Sequence, residues 1–152
     1  DITDKFPTYT KYSTAELTEI YSSDKLNHAL HIEAREFRNG YLKKVVGKWQ
    51  FIPFSNELQI GPINAFVEMD VTGNGKNEMI IAGNKYEAEV ETARYDSSFG
   101  AVVKFTKDGY EVMDPMETGL VLNFNVKDVQ RVGEWIAVGC NNDALKIYKS
   151  NR

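Results

Sequence analysis

The chain has 152 residues, 42% of them hydrophobic and 26% charged, which is enough for an ordinary domain with its own core and excludes a disordered segment. A formal net charge of −4, with no basic run longer than Lys43-Lys44, excludes the electrostatic face of a nucleic-acid binder. No apolar run approaches the ~20 residues of a membrane helix, and a single cysteine, Cys140, rules out an intrachain disulfide.

Taken in chain order, the first 30 residues read as helical. Ser13-Thr14-Ala15-Glu16 fits a capping box ahead of an apolar stripe of Ala15, Leu17, Ile20 and Tyr21. A second short helix is expected from Ser22 or Ser23, carrying Leu26, Ala29 and Leu30. From about Leu30 the period becomes two. Ile32, Ala34 and Phe37 predict a strand running into a hairpin turn at Asn39-Gly40. Tyr41 to Val46, a turn at Gly47-Lys48 and Trp49 to Phe54 predict a further strand pair.

The middle section predicts four strands in succession: Asn64 to Val71, Glu78 to Gly83, Gly100 to Phe105 and Tyr110 to Met113. Such a meander has the shape of one propeller blade. The end predicts three more, Val126 to Val132, Trp135 to Cys140 and Leu145 to Tyr148, with no fourth. Glu78 to Asn84 aligns with Glu134 to Cys140 at an offset of 56 residues (134 − 78), near the ~40–50 of a blade repeat. Cys140 ends an apolar run, which predicts a buried, unreactive thiol.

One motif carries chemistry. In Asp70-Val71-Thr72-Gly73-Asn74-Gly75-Lys76-Asn77-Glu78, oxygen-bearing side chains recur at places one, three, five and nine, and Gly75 permits a sharp bend at place six. A hard ion such as Ca²⁺ needs about six to eight oxygens, and this spacing collects several from one loop. Asp70, Thr72, Asn74, Lys76 and Glu78 are the candidate metal residues. Only Asp70 and Glu78 are acidic, so any affinity is expected near the weak ~10⁻⁴–10⁻³ M end. Without metal, the same residues make a polar turn.

The loop between two apolar strands resembles the Asp-rich loop of FG-GAP and VCBS repeats. The resemblance continues through Gly61-Pro62-Ile63-Asn64-Ala65-Phe66, Ile80-Ile81-Ala82-Gly83-Asn84, Glu89-Val90-Glu91-Thr92 and Arg94 to Gly100, and takes in Lys5 to Tyr9 and Asn141 to Leu145. It is similar to the C-terminal part of large VCBS-repeat, ASPIC/UnbV-like proteins, which are exported proteins of Bacteroidetes-type bacteria. The family loop carries Asp or Asn at place three and Asp at five and nine, where this chain has Thr72, Asn74 and Glu78. The resemblance implies a multi-bladed β-propeller whose last blades lie here, with the helices as an insertion beside a blade. It also implies export to the periplasm or cell surface. The opening Asp1-Ile2-Thr3-Asp4 has no signal-peptide pattern, and a larger parent is expected.

Other clusters have plain readings. His28 and His31 lack further zinc ligands at suitable spacing and read as surface residues. Glu87, Glu89 and Glu91 alternate, and with Arg94 and Asp96 they form either a solvated loop pinned by an Arg94 ion pair or a carboxylate pair for sugar hydrolysis. Tyr86, Tyr95, Phe99 and the two tryptophans would stack on a ligand or cover a sheet. No nucleophile elbow, phosphate loop or dinucleotide fingerprint is present.

The expected fold is therefore mainly β: antiparallel four-stranded blades of a partial β-propeller over 31–152, about two and a half in number, after a helical segment over 1–30. The expected function is a non-catalytic binding or scaffold module with a protein or glycan partner. The alternative is part of an extracellular carbohydrate-active enzyme. A partial wheel exposes blade faces, so association or a larger parent is expected.

Overall fold

The computed structural model describes residues 1–149. The end of the expected β region, 150–152, lies outside the described residues. By contact the chain divides into two units, Asp1–Phe37 and Arg38–Arg152.

The first unit holds four one-turn helices: α1 (Ile2–Lys5), α2 (Tyr9–Ser13), α3 (Leu17–Ile20) and α4 (Ser23–Asn27). None buries a residue, so local caps hold them. The side chains of Asp1, Thr8 and Ser22 each accept a first-turn amide. The capping box lies three residues later than expected. Ser13 is itself the last residue of α2 and so lacks the extended backbone of an N-cap, and its hydroxyl donates back to the Thr10 carbonyl at 3.0 Å. The box is formed by Glu16 and Glu19, whose carboxylate accepts the Glu16 amide at 2.8 Å. α4 stops at Asn27, leaving Ala29 and Leu30 outside it. The strand expected before Asn39 does not form. Among the described residues no strand is assigned over 31–38, and Ile32 and Phe37 are exposed.

The second unit is mainly β, in three antiparallel sheets. β1 (Gly40–Val45) and β2 (Lys48–Pro53) make a hairpin. β3 (Ile63–Met69), β4 (Glu78–Gly83), β5 (Ala101–Phe105) and β6 (Tyr110–Val112) make a four-stranded meander. A short helix, α5 (Pro115–Thr118), precedes β7 (Val126–Val132), β8 (Trp135–Cys140) and β9 (Lys146–Lys149), which make the third sheet.

Asn39-Gly40 is not a turn. Gly40 opens β1, and the Asn39 side chain donates to the carbonyls of Leu58 (2.9 Å) and Gly61 (2.8 Å). The hairpin turns one residue earlier than expected, at Val46-Gly47, with φ of 46° and 79°. Two positive φ values match the right-handed twist of a two-residue hairpin. Gly47 adopts its value freely, whereas Val46 is strained as a β-branched residue.

The middle sheet is covered on both faces. Ile80, Ala82 and Val102 pack in one cluster with Val126, Val129, Ile136 and Val138 of the third sheet. Ile81 and Val103, pointing the other way, pack with Phe54 and Leu58, and with Tyr41 of the hairpin. Alternate residues of one strand thus serve two neighbours, which explains the almost unbroken apolar run of β4. A side chain buried as fully as Val103 or Val138 contributes about 1.5–3 kcal/mol.

The internal repeat is present, but one residue away from its sequence alignment. Glu78 pairs with Met69 across the first β-turn-β unit, and Trp135 with Val132 across the second, an offset of 57 (135 − 78). The register shifts coincide, between Ile63 and Ala65 and between Val126 and Asp128. The two closing bonds match as well: the Asn84 amide donates to Pro62 O (3.3 Å) and the Asn141 amide to Asn125 O (2.9 Å). In a strand, a one-residue slip reverses every side chain, so the shift matters. On the true register Ile81 corresponds to Val138, and each faces the preceding sheet. Ile80 corresponds to Ala137, on the open face of the third sheet.

Candidate functional site

The Asp70–Glu78 loop spans β3 and β4, where the second β-turn-β unit has only Gly133-Glu134. Its two carboxylates turn inward onto its own backbone. Asp70 Oδ1 accepts the amides of Gly73 (2.7 Å) and Asn74 (3.1 Å), and Oδ2 accepts that of Gly75 (2.9 Å). Glu78 is buried; its Oε2 accepts the amides of Val71 (2.9 Å) and Thr72 (3.3 Å), and its Oε1 the Thr72 hydroxyl at 3.4 Å. Asn74 Oδ1 accepts the Lys76 amide at 2.8 Å. Charge-assisted bonds of this kind hold the loop shut. The structure does bring Asp70, Thr72, Asn74, Lys76 and Glu78 into one turn. A calcium ion would have to share its carboxylate oxygens with the loop amides, so the residues fit a self-held turn better than an open cage.

A second site lies at the other end of the sheets and escaped the sequence reading. Glu87 leaves the expected Glu87–Glu89–Glu91 row and reaches the third sheet. Its Oε1 accepts the side-chain amides of Asn125 (2.7 Å) and Asn141, and its Oε2 accepts Lys127 Nζ at 3.2 Å. These bonds line a cavity of about 310 Å³ bounded by Tyr86, Glu87, Phe124, Asn125, Asn142 and Asp143. Its own backbone amide, then Asn141 and Asn125, lower the Glu87 pKa from 4.5 to about 2; burial opposes this and Lys127 adds to it. Asp143 is also held below the usual range, first by Lys146 and then by the Ala144 amide. Asn125 is 3% exposed, and its Oδ1 is the one buried side-chain polar atom without a hydrogen-bond partner among the described residues. The sequence held one usable signal, the asparagines Asn123 and Asn125 and the polar run Asn141–Asp143 at the two ends of one predicted hairpin.

The remaining candidates take structural roles. Arg94 bonds Asp96 Oδ2 at 2.7 Å and lies 4.6 Å above the Tyr86 ring, so it pins the long loop as its plain reading expected. Lys85 and Tyr95 exchange backbone hydrogen bonds across the neck of that loop. His28 and His31 are exposed and bond the carbonyls of Asp24 and Leu26 near the end of α4. Cys140 is half-buried, and burial, then the Asp143 charge, raise its thiol pKa. Both influences hold the thiol toward its protonated form. Tyr95 and Phe99 are largely exposed.

No family model matches this chain, and no curated protein or solved structure matches it.

Proposed function

We propose that the chain is a non-catalytic binding or scaffold module, made of blades from an exported FG-GAP/VCBS-type β-propeller, with a protein or glycan as its ligand. The observation that supports this reading is directional stacking. The face of β4 that meets the hairpin corresponds to the face of β8 that meets the middle sheet. Sheets laid down in one sense, each turning the same face to its predecessor, are the elements from which a closed wheel is built.

Two further features fit. The third sheet has three strands where the middle one has four. Between the two sheets a cleft of about 740 Å³ opens over Met69, Ile80, Met113, Ile136 and Tyr148. The outer face of the third sheet, which a next blade would cover, leaves Val132, Trp135 and Ile147 exposed. In the enzyme alternative, one carboxyl of the pair must stay protonated near neutral pH to act as general acid. Glu87, the member of the Glu87–Glu89–Glu91 row that turns to the third sheet, is held ionised by its amide partners, which suits it to orienting a ligand rather than acting as that acid.

The test is association. Light scattering is expected to show mass rising with concentration, and Trp135→Lys with Ile147→Lys to suppress the rise. A compact monomer at every concentration would count against the blade reading.

A further inference from the structure

We propose that the pocket beside Asn125 and Asn141 holds one pyranose residue of a neutral glycan. This rests on the reading of the chain as a binding module and names the ligand class.

The first argument is charge. Each carboxylate at or beside the cavity already has a cation: Glu87 has Lys127 at 3.2 Å, Asp143 has Lys146 at 3.0 Å, and Asp96 has Arg94 at 2.7 Å. A cavity neutralised from within has little field left to attract an ion. What it keeps is oriented hydrogen-bonding capacity. Glu87 draws in the Asn125 amide group, and Asn125 Oδ1 is closed off from solvent without a donor, so the open capacity belongs to Asn141 and Asn142. Asn142 makes no side-chain hydrogen bond among the described residues, and Asn141 uses one N–H on Glu87. Carboxamides carry a donor and an acceptor side by side, the spacing of adjacent hydroxyls on a sugar ring. The half-buried rings of Tyr86 and Phe124 supply apolar wall.

The second argument is the repeat. At the corresponding place in the middle sheet, Asn84 is fully buried and its side chain is consumed by the backbones of Ser98 and Phe124. There the long loop returns and fills the space. After Asn141 the chain turns directly into β9, and the space stays open. A cavity of about 310 Å³ is at the small end of ligand pockets and suits a single ring.

The experiment is an NMR titration of the isotope-labelled chain with glucose, galactose, mannose and N-acetylglucosamine in turn. The expected result is saturable movement of the Asn125, Asn141 and Asn142 side-chain amide signals with at least one sugar, with Kd on the order of 1 mM. Asn142→Gly keeps the left-handed backbone at φ 56° and removes the amide; it is expected to weaken binding at least roughly tenfold. Affinity is expected to be flat across neutral and mildly acid pH. No movement of these signals with any of the four sugars overturns the proposal, and so does equal movement with glycerol, which marks an adventitious additive only. Sugar-dependent shifts confined to other residues also overturn it while leaving the module reading intact. Pocket shifts from a chain that never associates would keep this site and remove the blade reading.

Discussion

Asn84 and Asn141 close the same bond in two copies of one β-turn-β unit, yet they end in opposite surroundings. Asn84 adopts φ 77°, is fully buried and spends its side chain on Ser98 and Phe124. Its carbonyl accepts Asn64 Nδ2 at 2.7 Å, and Asn64 also donates to Val126 O at 2.9 Å, so this corner ties two sheets together. Asn141 is exposed, and among the described residues its side chain bonds only Glu87. The two corners share a backbone unit and differ in the segment that leaves it. A long returning loop converts one corner into structure, and a short turn leaves the other free to bind.

The largest expected effect separates the two glycines that the sequence aligns. A Cβ at Gly83 would lie 1.6 Å from Pro62 O, whereas at Gly139 the nearest atom is 3.7 Å away. Gly83→Ala is expected to destabilise by more than about 4 kcal/mol in urea unfolding, and Gly139→Ala by less than about 1 kcal/mol. Equal costs would restore the 56-residue alignment and defeat the 57-residue one.

Next comes the asparagine pair. Asn84→Ala strips a buried network and forces alanine to positive φ, an expected cost of about 3 kcal/mol. Asn141→Ala is expected to cost about 1 kcal/mol or less at its exposed corner. Comparable melting temperatures for the two variants would mean that the corners are not differentiated.

The acid limb of stability is a smaller effect. The folded Glu87 pKa of about 2 lies below its ordinary 4.5, so the native state favours the ionised form. Its contribution is full above about 4.5 and is lost as pH falls through about 2. Glu87→Gln is therefore expected to lower the melting temperature at neutral pH and to match the parent chain at the acid end. A constant gap across that window would refute the assignment.

Calcium is expected to do least. At about tenfold excess over a Kd of ~10⁻³ M, an open site would add about 1.4 kcal/mol. Competition from the loop amides brings the expected gain below that. A calcium response that persists in Asp70→Asn would remove this loop as its source.

Most of the β elements were legible from the residues alone. Glu78–Gly83, Val126–Val132 and Trp135–Cys140 form the strands their patterns predict, because β-branched and apolar runs between polar turns have few other ways to bury themselves. The failures lie where patterning is weak. Residues 31–38 carry apolar side chains as a strand would, but a strand also needs a neighbouring strand in register, which local pattern does not supply. Asn39-Gly40 carries the composition of a turn, but the Leu58 and Gly61 carbonyls recruit its asparagine instead. The capping box moved because α2 runs through Ser13. The polar turn at Asp70–Glu78 was located from the residues, whereas the direction of its carboxylates was not readable, since spacing does not record which amides compete for an oxygen.

By itself the sequence determined the strand segments, the mainly β character and the polar loop at Asp70–Glu78. Those arise from local periodicity and turn chemistry, which act over a few residues. Tertiary structure alone decided the 57-residue register, the two-sided burial of the middle sheet and the meeting of Glu87 with Asn125 and Asn141. These depend on contacts between residues far apart in the chain, where packing and hydrogen-bond competition choose among arrangements that local preference leaves equal.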